Sequence, residues 1–261
     1  MPRADVHVSL KELSRLCAEA GFGPDSVPEA AQTALAGYLE LLMKWNRVMN
    51  LVGTHTWQAT FRTLIVDSLH LARFLRTLPL PEAPETWDLG AGAGLPGIPL
   101  RAVWQAGTYH LVDAREKRTL FLSNVLARHP LPGTVVFRGR VEEFMPTRPK
   151  ADCVVSRAFL PWSEVLQLVR DHVAPGGVVV FLANEGAPAS LPTGWKVVAR
   201  AEYEVQAPPP HGATGVPGRA GDSGHGGRAG RAGRNVNGAA AGKSGAEPAS
   251  TTRHLWALAL E

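Results

Sequence analysis

Cysteine is almost missing from this chain. Only Cys17 and Cys153 occur among 261 residues, and both lie within apolar patterns far apart in sequence. That excludes a disulfide-stapled scaffold, and the pair reads as buried thiols in a reducing cytoplasm. Long apolar runs are missing too. No stretch approaches the roughly 18 apolar residues that a membrane helix needs. The opening MPRADVHVSLKEL carries no apolar signal core, so a cytoplasmic protein with no membrane partner is expected. The nine histidines fall at no metal-ligand spacing, so no metal site is expected. Strong charge of one sign is lacking as well, since the net charge is only +4. Arg219, Arg228, Arg231, Arg234 and Lys243 stand against only Asp222 and Glu247 in residues 207–250, so most of that excess belongs to one segment.

What the chain does have is periodic apolar structure. Leu10, Leu13, Leu16 and Cys17 share one helical face over 9–20, with Ser9 as cap and Gly21 as stop. Leu35, Tyr38, Leu39, Leu42, Trp45 and Met49 mark a helix over 26–49, with Pro28 near its start. A third helix is expected over Trp57–Leu78, followed by the Pro-rich joint 79–84. From residue 86 short β runs alternate with helical runs, the pattern of a parallel sheet. The strands expected are 87–89, 109–112, 134–138, 152–156, 178–183, 195–205 and 253–260, which makes a seven-stranded sheet.

The chemistry is concentrated in TWDLGAGAGLPGIP, residues 86–99. An apolar strand runs into a loop holding Gly90, Gly92, Gly94 and Gly97, and a helix comes next. Glycines there let the backbone turn with positive φ and approach a ligand closely. The spacing is G-x-G-x-G, which is not a dinucleotide fingerprint. No Gly-Lys-Ser/Thr comes after it, which excludes a Walker loop. An apolar loop of this kind suits a ligand with a purine and a ribose but no phosphate, and S-adenosylmethionine is such a ligand.

Three further places border this loop in a doubly wound sheet. Asp113 closes the second strand, where a carboxylate can accept from ribose hydroxyls; it can equally cap the next helix. Val141 and Glu142 come after the third strand, where the adenine edge would lie, although Glu142 also suits a helix start. Arg157 comes after the fourth strand, at the crevice where ligands bind, and can contact a ligand, an RNA phosphate or a neighbouring acid.

The blocks Trp45-Asn46, Asn50-Leu51, Asp67-Ser68-Leu69, DLGAGAGLPGIPL, VDAREKRTLFL, GRVEEF and SRAF, in order over residues 33–183, resemble the bacterial small-subunit rRNA guanine-N7 methyltransferases (RsmG, or glucose-inhibited division protein B). The resemblance implies an α/β fold, a Rossmann-like seven-stranded S-adenosylmethionine-dependent methyltransferase sheet with an N-terminal helical extension over 1–80. It implies methyl transfer to N7 of a guanine in the 530 loop of 16S rRNA, with 16S rRNA or the small ribosomal subunit as partner and a monomeric enzyme. Carried over by position, Gly90 and Leu95 line the cofactor, Val141 and Glu142 meet the adenine side, and Arg157 faces the methionine end or the target base; Gly92 and Asp113 join this cofactor-binding set from the loop and strand-end readings above. No residue is assigned a catalytic acid, base or nucleophile role. The chain departs from the family at Thr63 and Leu64, where an Arg-His pair is usual, with Arg62 one step out of register. It departs again at Asn184 or Glu185, where a Lys is usual. These departures keep open a second reading, a non-catalytic RNA-binding or ribosome-assembly factor that retains the fold.

The methyltransferase domain is expected over 85–206 and 251–261. The Gly/Ala/Arg-rich stretch 207–250 lacks the large aliphatics needed to offset its ordering entropy and reads as a disordered insertion at a hairpin tip. Its arginines either solubilise the segment or contact RNA phosphates. Measuring rRNA affinity of a chain lacking 207–250 across salt concentrations decides between these: an unchanged salt slope removes the phosphate role.

Overall fold

The computed structural model describes residues 6–206 and 250–261. Residues 207–249, most of the predicted insertion, lie outside the described residues.

The N-terminal part is helical. Helix α1 (Leu10–Glu19) is capped by Ser9, whose side chain accepts from the Glu12 N–H. Helix α2 (Glu29–Met49) starts one residue after Pro28 and ends at Asn50 in the left-handed conformation, a usual helix stop. The third predicted helix is corrected by the structure. It divides into α3 (Trp57–Thr60), a π turn (Phe61–Ile65) and α4 (Val66–Leu75). The hydroxyls of Thr60 and Thr63 bond back to the carbonyls of Thr56 and Ala59, at 2.9 and 2.7 Å. Such back-bonding competes with the regular ladder and admits the extra residue. The turn buries Phe61 and Ile65 and also Thr63. Thr63 therefore faces the core, while Arg62 lies 3.9 Å from Glu19.

The sheet has seven strands in the order β3-β2-β1-β4-β5-β7-β6. These are β1 (Glu85–Leu89), β2 (Thr108–Asp113), β3 (Thr134–Arg138), β4 (Ala151–Ser156), β5 (Val173–Ala183), β6 (Trp195–Gln206) and β7 (Ser250–Leu260). Strands β1 to β5 are parallel, as the alternation of strand and helix requires. Strand β7 pairs antiparallel with β5 and with β6, and its pairing with β6 is the hairpin expected around the insertion. Strands β6 and β7 pair as a long antiparallel ladder with Gln206 opposite Ser250, so Ser250 belongs to the sheet and not to the insertion. Helices α5 (Gly97–Val103), α6 (Glu116–Arg128), α7 (Val141–Phe144) and α8 (Trp162–Val169) connect the parallel strands.

Two apolar cores lie on the two faces of the sheet. One joins the N-terminal helices, through Leu35, Leu39, Phe61 and Leu71, to Phe121 of α6 and to Leu111 and Val180 of the sheet. The other packs Trp87, Phe144, Leu166 and Trp256. The strand order reverses on either side of β1, and Leu89 sits beside both Val112 and Ser156. The ends of β1, β2 and β4 are thereby brought to one crevice.

Helix α5 starts close under that crevice. A Cβ added at Gly97 would fall 2.4 Å from Leu111 Cδ2 and 2.5 Å from Asp88 Oδ2. Gly97→Ala is expected to destabilise the fold by about 1–3 kcal/mol through overpacking, read as a lower midpoint in urea.

Candidate active site

The loop after β1 is a left-handed turn at three points, with φ of +74° at Gly90, +59° at Gly92 and +81° at Gly94. Only glycine adopts this conformation freely. The Gly90 and Ala91 N–H groups both donate to Val112 O at 2.9 Å, which fastens the loop to β2. From the other side the Tyr38 hydroxyl of α2 donates to Ala93 O at 2.8 Å. Gly90, Gly92 and Leu95 keep part of their surface open, while Ala91, Ala93, Gly94 and Pro96 are buried. The Phe159 ring lies against Gly90, where a Cβ would approach Phe159 Cδ2 to 2.4 Å.

Asp113, the last residue of β2, turns its carboxylate onto this loop. Its Oδ2 accepts from the Gly92 N–H at 2.9 Å, and its Oδ1 accepts from the Arg115 N–H at 2.8 Å. The Arg118 guanidinium stands 3.5 Å from Oδ2. The structure does not bear out the helix-cap reading of Asp113: α6 starts at Glu116 with Arg115 at its N-cap and no side-chain cap bond, so the bond from the Arg115 N–H closes a turn ahead of the helix while the other carboxylate oxygen faces the loop.

Val141 and Glu142 open α7 one strand further out. The Gly139 N–H just before them donates to Asp113 O at 3.2 Å. The Val141 side chain is buried in the second core, and Glu142 is exposed. Arg157 stands on the opposite side of β1, after β4. Its Nη2 donates to Asp67 Oδ2 of α4 at 2.9 Å. The structure therefore joins Asp113 to the glycine turn through Gly92, bonds Gly139, two residues before Val141, to Asp113, and pairs Arg157 with an acid from the helical segment.

Several neighbours of the site have no assigned role in the sequence reading. Asp67 is buried and also accepts from the Tyr203 hydroxyl at 3.0 Å. Burial raises its carboxyl above the ordinary range, more than Arg157 and Arg253 lower it. His70 stacks on Tyr203 with centroids 4.0 Å apart, and burial pushes its imidazole down to about 4. Asp88 lies near the end of β1, buried, where its Oδ2 accepts from the Tyr109 hydroxyl at 3.2 Å. The one signal for Asp88 in the sequence is a carboxylate inside an otherwise apolar strand.

The cradle fits a purine nucleoside. A Cβ at Gly92 would meet only Arg118 Nη1 at 3.5 Å and Gly90 O at 3.7 Å, so the turn is open toward the crevice. The nearby Asp113 carboxylate is an acceptor suited to sugar hydroxyls. The sheet order, the glycine turn and this acid together define the class: an α/β fold of the S-adenosylmethionine-dependent methyltransferase type.

Comparison with known proteins narrows the class. Residues 31–198 match the family described as rRNA small subunit methyltransferase G. The chain is 66% identical over 198 residues to ribosomal RNA small subunit methyltransferase G of Nitratidesulfovibrio vulgaris, covering 76% of this chain and 89% of that one. It is 55% identical over 205 residues to the protein of that name from Oleidesulfovibrio alaskensis, covering 75% and 88%. Against the Lawsonia intracellularis protein of the same name it is 46% identical over 200 residues, covering 76% and 91%. The chain belongs to the rRNA small subunit methyltransferase G family.

Burial pushes the Asp88 carboxyl up to about 7. In the unfolded chain an aspartate titrates near 4. Between those values the folded protein holds a proton that the unfolded chain has released, so this group favours folding at low pH. That contribution is lost as pH rises through about 7. Urea unfolding of wild type and Asp88→Asn across pH should show wild type losing stability relative to the variant between about pH 4 and 7. Parallel curves would mean that the native carboxyl is not protonated in this window.

Proposed function

We propose that the protein transfers a methyl group from S-adenosylmethionine to N7 of a guanine in the 530 loop of 16S rRNA, acting as a cytoplasmic monomer on the rRNA or the small ribosomal subunit. The observation that carries this reading is the Asp113 carboxylate turned onto the Gly92 turn, within a chain of the rRNA small subunit methyltransferase G family. When bound, the cofactor supplies an electrophilic methyl group on a sulfonium.

The chain's own residues bind and align. Gly90, Gly92 and Leu95 offer open backbone and an apolar side chain for close approach to the cofactor. Asp113 accepts from the ribose hydroxyls, exchanging part of its bond to the Arg118 side. Glu142 and the backbone at Val141 meet the adenine edge. Arg157, after β4 and held by Asp67, faces the methionine end or the target base.

Guanine N7 carries a lone pair and no proton, so the transfer needs no general base. It needs alignment of donor and acceptor and exclusion of water. The guanine must also be unstacked to reach the crevice.

Two measurements test this. N7-methylguanine mapped in 16S rRNA should disappear from one position in a strain lacking the gene and return when it is restored; an unchanged map would sink the reading. By calorimetry, Asp113→Ala should weaken S-adenosylmethionine binding by about tenfold or more, the loss expected for hydrogen bonds to a charged group.

A further inference from the structure

A cavity of about 280 Å³ opens beyond Arg157, between the ends of β4 and β5 and the paired strands β6 and β7. That is near the lower end of small-molecule sites. Its wall includes Asp67, Arg157, Asn184, Tyr203 and Arg253. Asp67 comes from α4, so the helical segment closes one side. Its two carboxylate oxygens are divided between Arg157 and Tyr203. Tyr203 lies opposite Arg253 in the ladder, and the Arg253 Nε is buried without a hydrogen-bond partner among the described residues. Two guanidiniums against one carboxylate leave this wall rich in donors. It calls for a ligand rich in acceptors.

Guanine offers two adjacent acceptors, O6 and N7, and arginine ordinarily takes both through its planar fork. In a reaction at N7 that habit is a hazard. A hydrogen bond to N7 occupies the lone pair that must form the new C–N bond as the C–S bond breaks and its electron pair stays on sulfur. The site has to hold O6 and leave N7 bare. The Asp67 carboxylate, itself buried, engages the Nη2 of the partly buried Arg157, one arm of that fork, at 2.9 Å, where solvent loosens the pair less than at the surface.

We propose that Asp67 is a positioning residue: it holds Arg157 so that the cavity takes the target guanine through O6 and leaves N7 open to the methyl donor. This rests on the function proposed above. Asp67 touches no reacting atom and acts through Arg157.

The test uses the full chain with small ribosomal subunits from a strain lacking the gene, at saturating S-adenosylmethionine. Methyl transfer by wild type is the reference; if wild type transfers nothing, the proposed function fails and this inference is not what was refuted. Asp67→Asn keeps the shape and an acceptor for Tyr203 but releases the Arg157 fork. Its kcat should fall about tenfold or more while KM for the subunits stays within about twofold, since the base still binds but with N7 masked. A rise in KM at unchanged kcat for Asp67→Asn, or wild-type constants, would overturn the proposal. Should Asp67→Asn fail to fold, the substrate supplies a second arm. Subunits reconstituted with 2-aminopurine at the target position keep N7 but lack O6, and wild type should methylate them about tenfold or more slowly than guanine controls. Equal rates would refute the O6 contact.

Discussion

A single buried carboxylate sets the position of the whole crevice. Asp88 sits one residue from the end of β1 with almost no exposure to solvent, accepting from Tyr109 of β2 and from the Gly97 N–H that starts α5. Strand, neighbouring strand and helix are thus tied at one point, and the glycine turn is suspended between them. The absence of a Cβ at Gly97 allows this approach. Burying a lone charge there would be costly. The carboxyl meets that cost by holding its proton up to about 7, so it serves as a hydrogen-bonding joint more than as a charge.

The helical segment before the sheet contributes to the site itself. Tyr38 of α2 grips the glycine turn at Ala93, and Asp67 of α4 grips Arg157. The π turn before α4 matters here. An inserted residue rotates the rest of a helix around its axis. In this chain the rotated part carries Asp67, Leu69 and Leu71, which face inward, and Arg73, which faces water. Tyr38 belongs to the first apolar core, and so do Val66 and Leu69 on either side of Asp67. Packing and site geometry are therefore set by the same contacts.

Much of this is readable from residues alone. Strand β3 has the predicted bounds, because Thr134–Val136 is a β-branched run closed by Gly139 shortly after Arg138. The seven-stranded sheet is legible in apolar runs separated by Gly and Pro. The π turn is not readable, since Phe61–Ile65 has the same apolar spacing as an ordinary helix and the Thr hydroxyls that admit the extra residue are silent in sequence. Nor is the place of β7 between β5 and β6, because an alternating run carries its pairing with a hairpin partner but not the strand order. The glycine turn and Asp113 carry local signals, a fixed spacing and a strand end. Asp67 carries none from periodicity: its partners lie 90 and 136 residues away, and no period links them.

The position of β7 constrains how the chain is made. It is the last strand in sequence but an interior one, seated between β5 and β6 and bonded to both. Until those residues emerge during synthesis, the long edge of β5 and all of β6 stay without a partner. Exposed strand edges of this kind are templates for pairing with other chains. The nascent protein is therefore most vulnerable just before synthesis reaches this strand, and a break within it would leave a split sheet in place of a merely shortened one.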